Sequence, residues 1–290
     1  MPDTTPVAPL ARRDRLVVWL CIGLITALAW TWLARLAGQM SGSMAYGQAM
    51  ADMGMTAVEP WQPRDVVLTM AMWTVMMAGM MAPSALPVLL LFASAVKARA
   101  GAARVVPIAS FALGYAVIWT TFSAVAALVQ WWLHEAALLS PMMISSDRRV
   151  SGAILLGAGL YQLTPLKGAC LTQCRSPLGV LMGHWRDGAS GALRMGLRHG
   201  AACLGCCWAV MCVLFVVGVM NLLWVAAISA FVLVEKLGPR GALVARAAGI
   251  ILAVSGLFLL VRTPLPSRQG VDGSQSPSPQ RHLVRVVAGR

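Results

Sequence analysis

Residues 161–176 read YQLTPLKGACLTQCRS, and residues 200–208 read GAACLGCCW. Cys170 and Cys174 are four apart, and Cys203, Cys206 and Cys207 stand at i, i+3 and i+4. On an α-helix each set falls on one face. Five of the seven cysteines are thus presented as two stripes, and we expect the stripes to converge on one soft-metal thiolate site. Both motifs abut apolar runs long enough to cross a bilayer, and that decides the fold class. The chain is expected to be an all-α, polytopic membrane helix bundle.

The composition agrees. Of 290 residues, 59% are hydrophobic and 11% charged, with a mean hydropathy of +0.74, too apolar for a water-soluble domain. The net charge of +13 is no nucleic-acid footprint, because Lys and Arg sit in short segments between apolar runs, where they set orientation. The odd number of cysteines, most of them in or at the ends of apolar segments, argues against a secreted disulfide framework.

Seven spans are expected, at residues 16–37, 65–96, 105–133, 150–166, 200–220, 221–237 and 241–261, each near the roughly 20 residues that a crossing needs. Residues 200–237 are apolar for far longer than one crossing requires, which is why a turn is placed near Met220–Asn221. Three regions follow: a polar N-terminal tail (1–15), a transmembrane bundle (16–261) with a Met-rich outer loop (38–63), and a disordered basic tail (262–290). Arg12, Arg13 and Arg15, then Lys97, Arg99 and Arg104, then Arg175, Arg186, Arg194 and Arg198 put the N-terminus in the cytoplasm by the positive-inside rule. Trp30, Trp32, Trp61, Trp131 and Trp132 are expected at the outer interface as an aromatic belt. The setting implied is a bacterial inner membrane, with the lipid bilayer as the first partner.

The methionines extend the sulfur pattern. The loop holds Met40, Met44, Met50, Met53 and Met55 among small and polar residues. In the second span, Met72, Met76 and Met80 form one i, i+4 stripe, and Met70, Met77 and Met81 form its neighbour. Methionine often only fills irregular helix contacts, but six in twelve positions directly after a Met-rich loop suggest a thioether path. Pro83 and Pro87 should kink that helix or free carbonyls near Gly79. Gly152, Gly157 and Gly159 permit close helix approach. Tyr161 and Gln162, polar at depth, need partners there, and the adjacent Glu235 and Lys236 should find separate ones.

Thiolates bind Cu(I), zinc or iron–sulfur clusters. Lys167, Arg175, Arg198 and a helix N-terminus near Cys203 would place positive charge beside the sulfur atoms. Structural zinc is closed by four ligands in a water-facing knuckle, which C-x3-C and C-x2-C-C fit poorly. With the methionines the set favours Cu(I), held by Cys170, Cys174, Cys203, Cys206 and Cys207 and relayed by Met72, Met76, Met77, Met80 and Met81. Cys21 and Cys212 fall outside the stripes, and His184 and His199 are read as unliganded loop residues.

The pieces WTVMMAGMMAPS from Trp73, GLYQLTPLK through Cys170 and Cys174 to RSP, GAACLGCCWAVM, GVMNLLW and the Glu235–Lys236 pair resemble a bacterial family of predicted metal-binding integral membrane proteins, whose function is largely undefined. The resemblance covers roughly residues 66–260 and implies a polytopic, metal-associated membrane protein. Three functions remain open. One is copper uptake, or delivery to a membrane copper enzyme or metallochaperone. Another is a membrane redox enzyme cycling the cysteines between dithiol and disulfide, or turning over a bound metal. The third is a scaffold in which Cys and Met only pack. No G-x4-GK[ST] loop is present to couple transport to a nucleotide.

Overall fold

Apolar runs without an internal breaker close into long helices, since only a helix satisfies every backbone group within its own segment. The computed structural model describes residues 11–52, 62–100, 105–135, 147–176, 183 and 185–262, and among these it contains helices and no strand. The helices are α1 (Arg12–Asp52), α2 (Pro63–Ala100), α3 (Val105–Glu135), α4 (Arg148–Gln162), α5 (Pro165–Arg175), α6 (Gly188–Cys212), α7 (Leu214–Val217), α8 (Leu222–Leu237) and α9 (Gly241–Val261). Among the described residues five stretches are long and apolar enough to cross a membrane: Arg12–Met40, Pro63–Lys97, Val105–Glu135, Gly188–Val217 and Gly241–Val261.

Of the seven expected spans, those at residues 150–166 and 221–237 are not among these five. With 15 and 16 residues, α4 and α8 rise only about 22 and 24 Å, short of a roughly 30 Å hydrocarbon core. The local chemistry explains both limits. Leu163 and Thr164 interrupt the fourth run: the Thr164 hydroxyl caps α5 by accepting from the Lys167 amide at 3.3 Å, and Pro165 follows at the first helical position. Gly218, at φ +97°, breaks the long apolar run after α7, and Asn221 caps α8 by accepting from the Leu223 amide at 3.2 Å. That break falls where residues 220–221 were expected to turn.

Two further corrections concern loops. Residues 38–52 are helical and continue α1, because Ala, Met and Gln are strong helix formers and no proline intervenes before Pro60. The remainder of the Met-rich stretch, residues 53–61, lies outside the described residues, as do residues 1–10 of the N-terminal tail and 263–290 of the basic tail. The stretch 168–199, between the spans expected at 150–166 and 200–220, carries most of α5 and the first half of α6. Pro83 and Pro87 lie within an unbroken α2.

Helix α4 packs along α9 and α3 along α6, with α2 between α1 and α3. Glycine allows the first two approaches. A Cβ on Gly159 would meet the Gly249 carbonyl at 2.7 Å, and one on Gly196 would strike the Phe111 carbonyl, whereas Gly157 faces open space. The main core gathers Trp73, the α2 methionines, Trp119, Phe215 and the α6 cysteines; a smaller one joins Phe92, Phe111 and Met195. Large apolar side chains also point outward: Leu16, Leu20, Leu24 and Leu28 on α1, and Leu243, Ile250, Val254 and Val261 on α9.

Candidate metal centre

Because α5 lies against α6, their cysteine stripes face one another. Cys174 Sγ and Cys206 Sγ are 3.9 Å apart. Cys170 packs where α6 offers no side chain: a Cβ on Gly205 would come within 2.8 Å of its sulfur. Cys203, Cys206 and Cys207 are buried, while Cys170 and Cys174 are half-buried and close the cluster from the α5 side. The Cys206 and Cys207 thiols both donate to the Cys203 carbonyl, at 3.1 and 3.0 Å, which turns them back along their own helix.

Polar groups brace this arrangement. The Tyr161 hydroxyl donates to the Gly205 carbonyl. Glu235 takes the Lys167 ammonium at 2.7 Å and Gln162 Nε2 at 3.4 Å, and Lys167 also donates to Gln162 Oε1. Arg175 donates to the Glu235 carbonyl at 2.7 Å. The α5 arm is therefore tied to α8 at both ends. Lys236 points elsewhere, to Cys203 Sγ at 2.9 Å, Ser84 Oγ at 3.3 Å and Met81 Sδ at 3.9 Å. The adjacent pair does find separate partners, and Tyr161 and Gln162 find theirs.

A family model described as copper chaperone (PpoB2) matches residues 70–259. The chain belongs to that copper chaperone family. The match runs from within α2 to within α9 and contains the cysteines, Tyr161, Gln162, Lys167, Arg175, Glu235 and Lys236 of the cluster just described. No curated protein and no solved structure matches the chain.

The donors suit the cargo this family name implies. Two sulfur atoms sharing an ion at ~2.3 Å each stand ~3.8 Å apart in tetrahedral geometry, and the Cys174–Cys206 pair is already at 3.9 Å. Among the described residues no three His, Cys, Asp or Glu side chains converge on one point. A sulfur pair is a donor set that copper accepts. Met72, Met76, Met77, Met80 and Met81 are all buried in the same core as Cys203, Cys206 and Cys207.

Several side-chain roles differ from the sequence expectation. Lys167 serves Glu235, and the cation against sulfur is Lys236. Cys203 lies halfway along the 188–217 stretch, about 22 Å from its start, beyond reach of the terminal dipole. His199 is buried in α6 between the Phe111 and Tyr115 rings, not in a loop; His184 lies outside the described residues. Trp30 packs on the core beside Gly79, while Trp32, Trp131 and Trp132 are exposed. The sequence reading missed Tyr115, whose hydroxyl lies 3.2 Å from Cys203 Sγ, and the contact of Gly205. Lys236 was expected only to find a partner separate from that of Glu235; its place in an apolar run was the available signal.

Proposed function

We propose that the chain is a multi-pass inner-membrane copper chaperone that holds Cu(I) between α5 and α6 on Cys174 and Cys206. Cys170, Cys203 and Cys207 supply alternative donors, and the α2 methionines form the approach path. The observation that carries this reading is the 3.9 Å approach of two sulfur atoms from separate helices within a chain of the copper chaperone family. Family membership supports the cargo, and the five long apolar helices with their outward leucine and isoleucine faces support a bilayer setting. A thioether binds Cu(I) more weakly than a thiolate, so affinity rises from α2 to the cysteines. Delivery then requires an acceptor, a membrane copper enzyme or a metallochaperone, that offers sulfur or imidazole ligands of its own.

The test is Cu(I) loading of the purified full chain under reducing conditions, followed by X-ray absorption. The expected result is a sulfur-dominated shell that collapses when Cys174 and Cys206 are both replaced by Ser. A nitrogen- and oxygen-bound ion, or loading that ignores the double replacement, would defeat the proposal. The same sulfur pair also suits the dithiol–disulfide reading. Counting free thiols before and after mild oxidation separates the two, since a chaperone needs no change in the count to turn over.

A further inference from the structure

The methionine and cysteine stripes meet at one point, and a cation of the chain itself already sits there. Lys236 Nζ contacts Cys203 Sγ at 2.9 Å, Met81 Sδ at 3.9 Å and Ser84 Oγ at 3.3 Å. Tyr115 closes the fourth side, its hydroxyl 3.2 Å from Cys203 Sγ and 3.4 Å from the Met81 carbonyl. These groups come from α2, α3, α6 and α8. Lys236 is 6% exposed. A buried lysine is ordinarily neutralised by a carboxylate, but the adjacent Glu235 is bound to Lys167. The ammonium of Lys236 instead rests on one thiol sulfur, one thioether sulfur and a hydroxyl, a donor set that suits a soft monovalent ion better than it suits an ammonium.

We propose that Lys236 is a tethered stand-in for Cu(I). In the metal-free protein its ammonium holds the Cys203–Met81 locus. It yields that locus to an incoming Cu(I) and reclaims the sulfur when the ion leaves. Cu(I) takes the place of the Cys203 thiol proton, which leaves to solvent, while the Lys236 ammonium turns aside onto Ser84 Oγ, which it already contacts at 3.3 Å, so the net charge at the locus does not change. A divalent ion would add a second charge there, at a large cost in a buried site. Lys236 is thus a positioning residue that sets release and valence selectivity, not a ligand. The inference rests on the copper reading above, takes Cys203 as an alternative donor that the ion reaches from the Cys174–Cys206 pair, and adds the step that frees it there.

The experiment uses the full chain in detergent, loaded with Cu(I) under reductant and chased with excess bathocuproine disulfonate, a chromophoric Cu(I) chelator. Lys236→Met should release Cu(I) about tenfold more slowly than the unmodified chain, on the scale of second-sphere changes at metal sites. Lys236→Arg, which keeps the charge, should release at near the unmodified rate. In a Cys203→Ser background the difference between Lys and Met at position 236 should vanish, because the contested sulfur is gone. Equilibrium dialysis should show more zinc retained by Lys236→Met than by the unmodified chain. Lys236→Gln gives the same readings where Met impairs folding. If the unmodified chain binds no Cu(I), the copper reading itself falls. If it binds Cu(I) and neither neutral variant slows release, only the stand-in role falls.

Discussion

At the level of single residues, spacing placed the two cysteine faces. Cys170 and Cys174 at i, i+4, and Cys203, Cys206 and Cys207 at i, i+3, i+4, had to share faces once helices formed, and the structure brings the two faces together. Spacing could not say which cation serves which anion, because that depends on how α5 and α8 meet. The Lys167–Glu235 pair is 1% and 0% exposed, so its members answer to each other. Glu235→Ala strands a buried ammonium and should cost roughly 3–5 kcal/mol, read as a large loss of thermal stability in detergent. Adding Lys167→Met should recover much of it, and a double variant no more stable than Glu235→Ala would show that the pair is not the cause. Cysteine replacement should separate ligand from filler in the same way. Cys206→Ser should weaken Cu(I) by about a hundredfold or more, roughly 2.7 kcal/mol, in chelator competition. Cys21→Ser, on the exposed side of α1, should leave it unchanged, and equal losses at both positions would count against a localised site.

Among the helices, the sequence revealed breaks better than extents. Gly218 and Asn221 mark the turn between α7 and α8 because one takes a positive φ and the other caps a helix. The continuation of α1 through residues 38–52 was hidden, since polar, glycine-containing composition reads as loop while its Ala, Met and Gln still favour helix. Glycine alone also did not reveal which residues sit at an interface. Gly152, Gly157 and Gly159 look alike in the sequence, yet only the first and third face α9. Gly159→Ala should therefore cost about 1–3 kcal/mol through overpacking. Gly157→Ala, which meets nothing within 4 Å, should add roughly 0.5–1 kcal/mol of helix stability. Paired thermal melts of the two variants decide the point, and melts that move in the same direction would contradict the α4–α9 packing described here.

For the molecule as a whole, the number of crossings turns on whether α4 and α5 act together. Gly152 lies against Leu260, Gly159 against Gly249, and Arg175 reaches the Pro239 carbonyl and the vicinity of Gly241. Helix α4 therefore runs antiparallel to α9, the Arg175 side chain at the end of α5 reaches the start of α9, and α9 has the 21 residues of a full crossing. If α4 and α5 together make one interrupted crossing, broken at Leu163–Thr164, and α8 makes another, the crossings number seven rather than five. Interrupted helices are a recognised way to bring ion ligands into a bilayer, because unwound backbone is tolerated where protein covers it. Five and seven crossings both leave the termini on opposite faces, so terminal reporters cannot tell them apart. A reporter inserted after Ser176 can. With α4–α5 as a crossing it should lie on the same face as the N-terminus, and with five crossings on the opposite face. Protection of that reporter from a membrane-impermeant protease added to the N-terminal side would sink the interrupted crossing. The cysteine pair would then be approached from the face opposite the N-terminus, and the copper path would have to be redrawn from that side.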